Sequence, residues 1–412
     1  MAKKQERNLI VGLDIGTSKI VALVGEINSS GKLEIIGVGR SPSTGLKRGV
    51  VVNIETTVQS IQRAVEEAEL MAGCDIRSVF AGIAGSHIRS LNSHGIVAIK
   101  DSEVTQYDVD RVIDAAKAVA IPADQKILHI LPQEFFIDNQ GGIREPISMS
   151  GVRLEAKVHM VTGAVSAAQH ISKSVKRCGL DVSDIILEQL ASSHSVLTDD
   201  EKELGVCLID IGGGTTDIAI FSNGAIRHTA VIPIAGDQVT NDIAMALRTP
   251  TKAAEDIKCR HASLLMDKAH SNQMIEVPSV NERPGRKIGI RSLSDVVSAR
   301  YEELFDLVND ELERSGFKEL VAAGVVVTGG AASLHGVVEL AEMKFQLPVR
   351  LGRPQQVENL PDLINDPSYA TGVGLLLYGL HQHFDGHMHT GQLGQGFKGM
   401  LSRMRDWFQG NF

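Results

Sequence analysis

The chain has 412 residues, which is enough for two or three domains, and 43% of them are hydrophobic, so a large core is expected. Its 41 basic and 50 acidic residues give a net charge of −9, and no long basic stripe with interleaved aromatics is present, which argues against nucleic-acid binding. No stretch approaches the roughly 20 apolar residues of a spanning helix, and the polar start lacks the apolar core of a signal peptide. We therefore expect a cytosolic protein in which any membrane contact is peripheral.

The first half of the chain alternates between strand-like and helical patterns. Residues 8–83 predict three strands, a helix and a fourth strand, in the order LIVGLDI, KIVALVGEI, LEIIGVG, VQSIQRAVEEAELMAG and SVFAGIAG. Residues 84–161 predict a small mixed subdomain, with SHGIVAIK as a strand, TQYDVDRVIDAAKAVA as a helix and KILHILPQEFFID as a strand. VHMVTGAV then returns the chain to the first domain.

The second half begins near Ser195 and repeats part of this order. DIAIFSNGAIRHTAVIP predicts a hairpin that turns at Asn223-Gly224. Residues 236–302 predict a mostly helical subdomain with one strand pair, and a long helix is expected from Leu293 to Leu312. After Gly379 the chain becomes polar and rich in Gly and His, which predicts a flexible linker over 381–395.

The most informative feature is a turn that occurs twice, as LDIGTSK from Leu13 and as IDIGGGTTD from Ile209, each between two strand-like runs. Glycines let backbone N–H groups approach an anion, and an Asp beside a phosphate implies Mg²⁺ held through water. One copy alone is equally compatible with a simple Gly/Thr hairpin. Two copies predict two similar halves with a phosphate ligand between them, bound by Asp14, Gly16, Thr17, Ser18, Lys19, Asp210, Gly212, Gly213, Gly214, Thr215 and Thr216, of which Asp14 and Asp210 are the Mg²⁺ candidates.

Two further segments fit a nucleotide. The strand VVVT runs into a Gly-Gly turn at Gly329, Gly330 and Ala331, which would let the backbone approach a base or sugar. Glu255 and Lys258 lie one helical turn apart and could clamp a ribose. The alternatives are an ordinary strand–turn–helix connection and a solvated helix face.

These segments, together with TGVGLLLYG from Thr371, resemble the actin, Hsp70 and sugar-kinase superfamily. The first two are then its phosphate loops, VVVTGGAA is its adenosine loop, and its two connecting helices are residues 186–193 and 371–379. Within the superfamily the whole chain resembles the FtsA family of bacterial cell-division proteins, through NLIVGLDIGTSKI, GVVVNIETTVQSIQRAVEEAE, VHMVTGA and GDQVTNDIA. The resemblance implies an α/β, actin-like duplicated RNase-H-like fold with an inserted subdomain called 1C, and ATP with Mg²⁺ as ligands.

The resemblance also implies a division of the chain. Subdomain 1A would hold 8–83 and 162–194, subdomain 1C 84–161, subdomain 2A 195–235 and 303–380, subdomain 2B 236–302, and a terminal helix 396–412. Plotted at 100° per residue, the apolar side chains of that helix fall within roughly 140°. Such a helix favours an anionic membrane surface over a core, with contacts from Phe397, Met400, Leu401, Met404, Trp407 and Phe408, and from the basic Lys398, Arg403 and Arg405.

A basic cluster at Arg283, Arg286, Lys287 and Arg291 surrounds a Pro-Gly turn and would suit an acidic peptide. In the family this region receives the C-terminal tail of the tubulin-like FtsZ, and ordinary surface charge is the alternative.

The resemblance implies an ATP-binding filament protein that self-associates and anchors the FtsZ ring to the cytoplasmic face of the inner membrane at the septum. It would also recruit and activate other division proteins through subdomain 1C. Hydrolysis would at most be slow, with Gln189 and Glu188 as candidate water orienters. The alternatives are a small-molecule kinase, with Asp217 as its base, and an anchor for a pilus or secretion machine.

Overall fold

The computed structural model describes residues 8–265, 273–280, 284–358 and 361–388. It contains two five-stranded sheets. The first is built from β1 (Leu9–Ile15), β2 (Lys19–Ile27), β3 (Leu33–Pro42), β6 (Ser78–Ile83) and β11 (Asp181–Leu187), in the spatial order β11-β6-β1-β2-β3. The second is built from β12 (Val206–Ile211), β13 (Thr216–Ser222), β14 (Ala225–Ile232), β17 (Val325–Thr328) and β18 (Val349–Leu351), in the order β14-β13-β12-β17-β18.

The two sheets share one topology. In each, the first three strands are antiparallel neighbours and the last two join in parallel. The β13–β14 turn has positive φ at both Asn223 and Gly224, as the sequence predicted. The predicted duplicated, RNase-H-like fold is therefore confirmed.

Helices α1 (Ile54–Ala72) and α3 (Val165–Arg177) pack on the first sheet, and the short hairpin β4 (Leu46–Lys47) and β5 (Val50–Val51) precedes α1. The side chain of Asn53 caps α1 by accepting the Thr56 N–H, and Gly73 ends it with a φ of 62°. A Cβ at Gly39 would lie 1.7 Å from the Ala64 carbonyl oxygen, so glycine in β3 lets α1 approach closely.

The inserted subdomain has its own sheet and core. Strands β7 (Arg89–Ala98), β8 (Gln125–Ile137), β9 (Gln140–Ile143) and β10 (Arg153–Ala164) form an antiparallel sheet in the order β7-β10-β8-β9, and α2 (Gln106–Lys117) packs on it. Thr105 and Asp108 start α2 with a capping box. The predicted insertion between the strands of the first domain is confirmed.

The second domain carries further helices, and the strand pair predicted within residues 236–302 is present. The elements are α5 (Asp199–Leu204), α6 (Gly236–Ala246), α7 (Thr251–His261), β15 (Met274–Val277), β16 (Arg286–Gly289), α8 (Ile290–Ser315) and α9 (Val337–Phe345). The predicted boundary at residue 302 falls inside α8, which runs on without a break.

Two connecting helices, α4 (Glu188–Val196) and α10 (Ala370–Met388), cross between the domains. A Cβ at Gly374 would lie 1.9 Å from the Ala191 carbonyl oxygen, so glycine permits the crossing. Among the described residues, no helix is long and apolar enough to cross a membrane.

The structure corrects two predictions here. Ile186 and Leu187 belong to β11, because they pair with β6, and the first connecting helix begins only at Glu188. Residues 381–388 are helical, so the linker prediction for 381–395 is wrong over that part. No helix breaker lies in the HQHF stretch, and Gln382 donates to the Tyr378 hydroxyl one turn back at 3.2 Å. Residues 389–395 lie outside the described residues.

Candidate functional site

The two Gly/Thr loops face each other across a cleft between the domains. The first joins β1 to β2 and the second joins β12 to β13. A Cβ added at Gly213 would lie 3.0 Å from the Ser18 Cβ, and one added at Gly214 would lie 2.5 Å from the Thr17 hydroxyl oxygen. The structure therefore brings together the two loops that the sequence places almost 200 residues apart.

Four carboxyl groups gather beneath these loops. Asp14 and Asp210 lie one residue before the ends of β1 and β12 and are each 7% exposed. Asp217 beside them is buried, and Glu188 is half-buried. Burial raises the pKa of each group, that of Asp217 to about 7, and repulsion among the acids raises the pKa of Asp14, Glu188 and Asp217 further. Such a cluster favours the approach of a cation.

Lys19 is the basic side chain within this cluster. Its ammonium donates to the Ser368 carbonyl at 2.5 Å and lies 4.3 Å from the centroid of the Tyr369 ring. Burial lowers its pKa to about 8, against the pull of Asp14. Lys19 thus ties the first loop to the segment that leads into the second connecting helix.

The connecting helices hold Asp210 directly. Ser192 of α4 donates to its carboxylate at 2.6 Å, and Thr371 of α10 donates to it at 3.4 Å. These two hydroxyls also lie 3.0 Å apart. The sequence places Ser192 and Thr371 only within the two predicted connecting helices. Their small polar type within buried helices was the available signal, because a buried hydroxyl needs a partner.

The two candidate water orienters, Glu188 and Gln189, are the first two residues of α4. Glu188 lies among the acids described above. Gln189 is fully buried, and neither polar atom of its side chain has a hydrogen-bond partner among the described residues. A buried amide without partners fits a site that a water or a ligand completes.

The described residues contain no group of three or more His, Cys, Asp or Glu side chains placed to hold a metal ion directly. Electrostatic repulsion among Asp14, Asp210, Asp217 and Glu188 nevertheless indicates that their carboxyl groups lie near one another. This arrangement fits a hydrated Mg²⁺, which retains several of its waters.

Glu255 and Lys258, the predicted ribose contacts, lie near Gly212 at the start of the second loop. Lys258 donates to Glu255 at 2.7 Å, to the Thr240 hydroxyl at 2.8 Å and to the Gly236 carbonyl at 3.0 Å. Gly236 in turn donates its N–H to Gly212 at 3.1 Å. Lys258 is therefore tied to the second loop through Gly236, while the Glu255 side chain remains 46% exposed.

The Gly-Gly turn after β17 lies on the same side of the second loop as Lys258, because Ala331 of this turn lies beside Gly236. A Cβ at Gly329 would lie 2.4 Å from the Asp210 carboxylate, and its φ of 90° suits glycine. Ala331 lies beside Gly236, and its carbonyl accepts from the Tyr301 hydroxyl at 2.7 Å. Gly330 follows in a single 3₁₀ turn.

The predicted partner and membrane residues are placed only in part. Arg286, Lys287 and Arg291 are exposed along β16 and the start of α8, and the Arg286 guanidinium donates to the Leu247 carbonyl. Arg283 and the whole C-terminal set lie outside the described residues, namely Phe397, Lys398, Met400, Leu401, Arg403, Met404, Arg405, Trp407 and Phe408.

Solved structures share this architecture at low sequence identity. The PilM–PilN type IV pilus biogenesis complex matches with a TM-score of 0.67 and 16% identity, covering 90% of this chain and 98% of that one. MreB5 of Spiroplasma citri bound to ADP matches with a TM-score of 0.58 and 17% identity, covering 93% and 99%. These likenesses confirm the predicted actin-like fold and, at such identities, show the fold alone.

Two family models match the chain. "Cell division protein FtsA" matches residues 207–374, and "SHS2 domain inserted in FTSA" matches residues 85–162, one residue later than the predicted insertion at each end. Proteins called cell division protein FtsA are 63% identical in Pseudomonas aeruginosa and 46% identical in Escherichia coli K12, and each alignment covers 100% of both chains. One from Neisseria meningitidis is 49% identical over 99% of this chain and 100% of its own length. The chain therefore belongs to the family of cell division protein FtsA.

Proposed function

We propose that this protein is an ATP-binding, actin-like filament protein that anchors the tubulin-like FtsZ ring to the cytoplasmic face of the cell membrane at the septum. It also recruits and activates other division proteins through the inserted subdomain. The observation that carries this proposal is the pair of phosphate loops held face to face beside four clustered carboxyl groups, in a chain of this family. Family membership favours this role over a small-molecule kinase.

In this proposal the loops bind the phosphates, and Glu255 and Lys258 hold the ribose beside the Gly329-Gly330 turn. Asp14 and Asp210 hold Mg²⁺ through waters, which neutralises their mutual repulsion. Gln189 and Glu188 orient a water beside the terminal phosphate, so at most a slow ATPase is expected. MreB5 of Spiroplasma citri, which shares this fold, has been solved with ADP and with AMPPNP bound.

The nucleotide part of the proposal is tested with Asp14→Ala and Asp210→Ala. Calorimetric titration with Mg·ATP should give at least about tenfold weaker binding for each variant, since each loses a charge that holds the cation. Asp200→Ala, which removes an exposed acid on α5, is the matched control and should bind as wild type does. Retained affinity in both cleft variants would refute the assignment of the cleft.

Membrane attachment is assigned to the amphipathic segment 396–412. One helix buries only a few large side chains, each worth roughly 1.5–3 kcal/mol at most, so a single copy binds weakly. Filaments place many anchors on one surface and gain avidity. Membrane binding and self-association should therefore reinforce each other.

Co-flotation with anionic vesicles tests this attachment. The full chain is compared with a chain that ends at Gln395, each with and without Mg·ATP. We expect flotation to require the last 17 residues and to increase with Mg·ATP. Equal flotation of the two chains would remove the segment from the proposal.

The FtsZ tail, an acidic peptide, is assigned to the basic surface formed by Arg286, Lys287 and Arg291. Charge reversal in Lys287→Glu or Arg291→Glu should weaken binding of a labelled tail peptide, and the remaining affinity should depend less on salt. Arg286→Glu should also weaken it but additionally loses the contact with Leu247. Lys173→Glu, which reverses an exposed charge on α3 of the first domain, is the control. Unchanged affinity in the two pure charge variants would exclude this surface.

A further inference from the structure

The β4–β5 hairpin has an unusual tip. Its two turn residues, Arg48 and Gly49, both have positive φ, of 51° and 76°. Two-residue hairpins favour this geometry, but they normally place Asn, Asp or Gly at its first position, where a long side chain is disfavoured. A non-glycine residue held in the left-handed region directs attention to what its side chain does.

This tip rests on both phosphate loops. The N–H of Gly49 donates to the Thr17 hydroxyl at 2.9 Å. A Cβ at Gly214 would lie 2.8 Å from the Arg48 Cα and 3.0 Å from the Arg48 nitrogen. Glycine is therefore needed at 214 because the hairpin occupies that space, and the hairpin forms a third wall of the site.

The position of the tip along the second loop indicates which phosphate it faces. Gly212 adjoins Gly236 on the side of Glu255 and Lys258, and Gly213 lies opposite Ser18 in the first loop. The hairpin tip contacts Gly214, which follows Gly213 in the loop and lies farther along the loop from Glu255 and Lys258. A ligand with its sugar beside Gly236 would thus present its last phosphate to the hairpin.

The charges around the loops leave a role for a further cation. Asp14, Asp210, Asp217 and the half-buried Glu188 surround the ammonium of Lys19, which is already bonded to Ser368. The exposed Arg40 also lies near enough to Lys19 to repel it. The Arg48 side chain is exposed, and its guanidinium has no ion pair within the described ranges. A guanidinium presents a planar fork of donors that matches phosphate oxygens.

From these observations, and resting on the proposed function, we propose that Arg48 binds the terminal phosphate of a nucleoside triphosphate and so distinguishes it from the diphosphate. The hairpin tip supplies the placement, and the guanidinium supplies the charge.

Calorimetric titration of the full-length protein with Mg·ADP and with the non-hydrolysable analogue Mg·AMPPNP tests this proposal. Arg48→Asn removes the charge while keeping a residue that tolerates positive φ. We expect it to weaken AMPPNP binding by about ten- to a hundredfold, as for loss of a charge-assisted hydrogen bond, and ADP binding by less than about twofold. Arg48→Lys, which keeps the charge but loses the fork, should fall between.

Lys47→Ala is the matched control, because it removes the neighbouring exposed cation of the same hairpin and should leave both affinities unchanged. If Arg48→Asn binds both nucleotides as wild type does, or weakens both equally, the role of Arg48 is refuted while the proposed function stands. If the wild type binds neither nucleotide, the proposed function fails and the role of Arg48 fails with it.

Discussion

A buried histidine of the inserted subdomain offers the sharpest test of how that subdomain supports the cleft. His129, in β8, accepts the backbone N–H of Leu187 at 3.0 Å through its Nε2 atom. Leu187 immediately precedes Glu188 and Gln189. Burial lowers the pKa of His129 from 6.5 to about 4, because the charged imidazole loses its hydration.

The direction of the pH effect follows from this lowered pKa. The stabilisation is present above the unfolded-state pKa of 6.5 and is lost as the pH falls towards the folded-state value of about 4. At about pH 5, His129 is protonated in the unfolded chain but remains neutral in the folded chain. The difference of about 1.5 pH units costs about 2 kcal/mol of unfolding free energy.

Three proteins distinguish the effect of protonating His129 from the effect of losing its hydrogen bond to Leu187: wild type, His129→Gln and His129→Leu. Gln can accept the N–H but does not titrate, so it should resemble wild type at about pH 7.5 and lose about 2 kcal/mol less at about pH 5. Leu leaves a buried N–H without a partner and should lose about 1–3 kcal/mol at both values.

Urea unfolding followed by far-ultraviolet circular dichroism measures these differences. The buried His159 and His194 also have lowered pKa values, but they are present in all three proteins, so their effects cancel in the comparison. An acid-induced loss that is equal in wild type and His129→Gln would refute the reasoning.

Three further outcomes are expected. Gly374→Ala forces a Cβ against the Ala191 carbonyl, 1.9 Å away, and should lower stability by about 1–3 kcal/mol; Gly289→Ala, with open space around it, is the control in a thermal melt. Asp217→Asn should stabilise the ligand-free protein at about pH 8 by up to roughly 4 kcal/mol in urea unfolding, because its pKa is raised from 3.8 to about 7 and ionisation opposes folding. Affinity for Mg·ATP should rise from about pH 6 to about pH 8 in calorimetry as Asp14 and Asp217 lose their protons, and a flat profile would contradict this linkage.

The fold and the loops could be predicted because their signals are local. Each loop is an apolar strand, an Asp, a run of Gly and Thr and a second strand, and the whole pattern lies within one short segment, 9–27 or 206–222. The duplication then fixes the topology, since a repeated unit folds in the same way twice. The hairpin at Asn223 and Gly224 was predictable for the same reason.

The contacts that shape the cleft were not predictable, because they join distant parts of the chain. Ser192 reaches Asp210 from a connecting helix, Lys19 reaches Ser368 across 349 residues, and the tip at Gly49 reaches Thr17 from a hairpin of two-residue strands. Polar residues in such positions carry no periodicity of their own. The end of α10 was missed for a different reason, since a polar, His-rich composition is compatible with both a helix and a linker.

The inserted subdomain touches one edge of each main sheet, and this places it across the cleft. His129 binds β11, an edge strand of the first sheet, while Ser90 and Gln133 donate to the Thr229 and Ile226 carbonyls of β14 at 2.9 Å each. β14 is an edge strand of the second sheet.

These contacts satisfy edge groups that would otherwise be open to another chain. They also restrict the cleft, since the insertion is covalently part of the first domain and is hydrogen-bonded to the second. A change in the angle between the sheets must therefore either break the bonds to β14 or move the inserted subdomain relative to β11. The position of this subdomain is in either case linked to the opening of the cleft between the two loops.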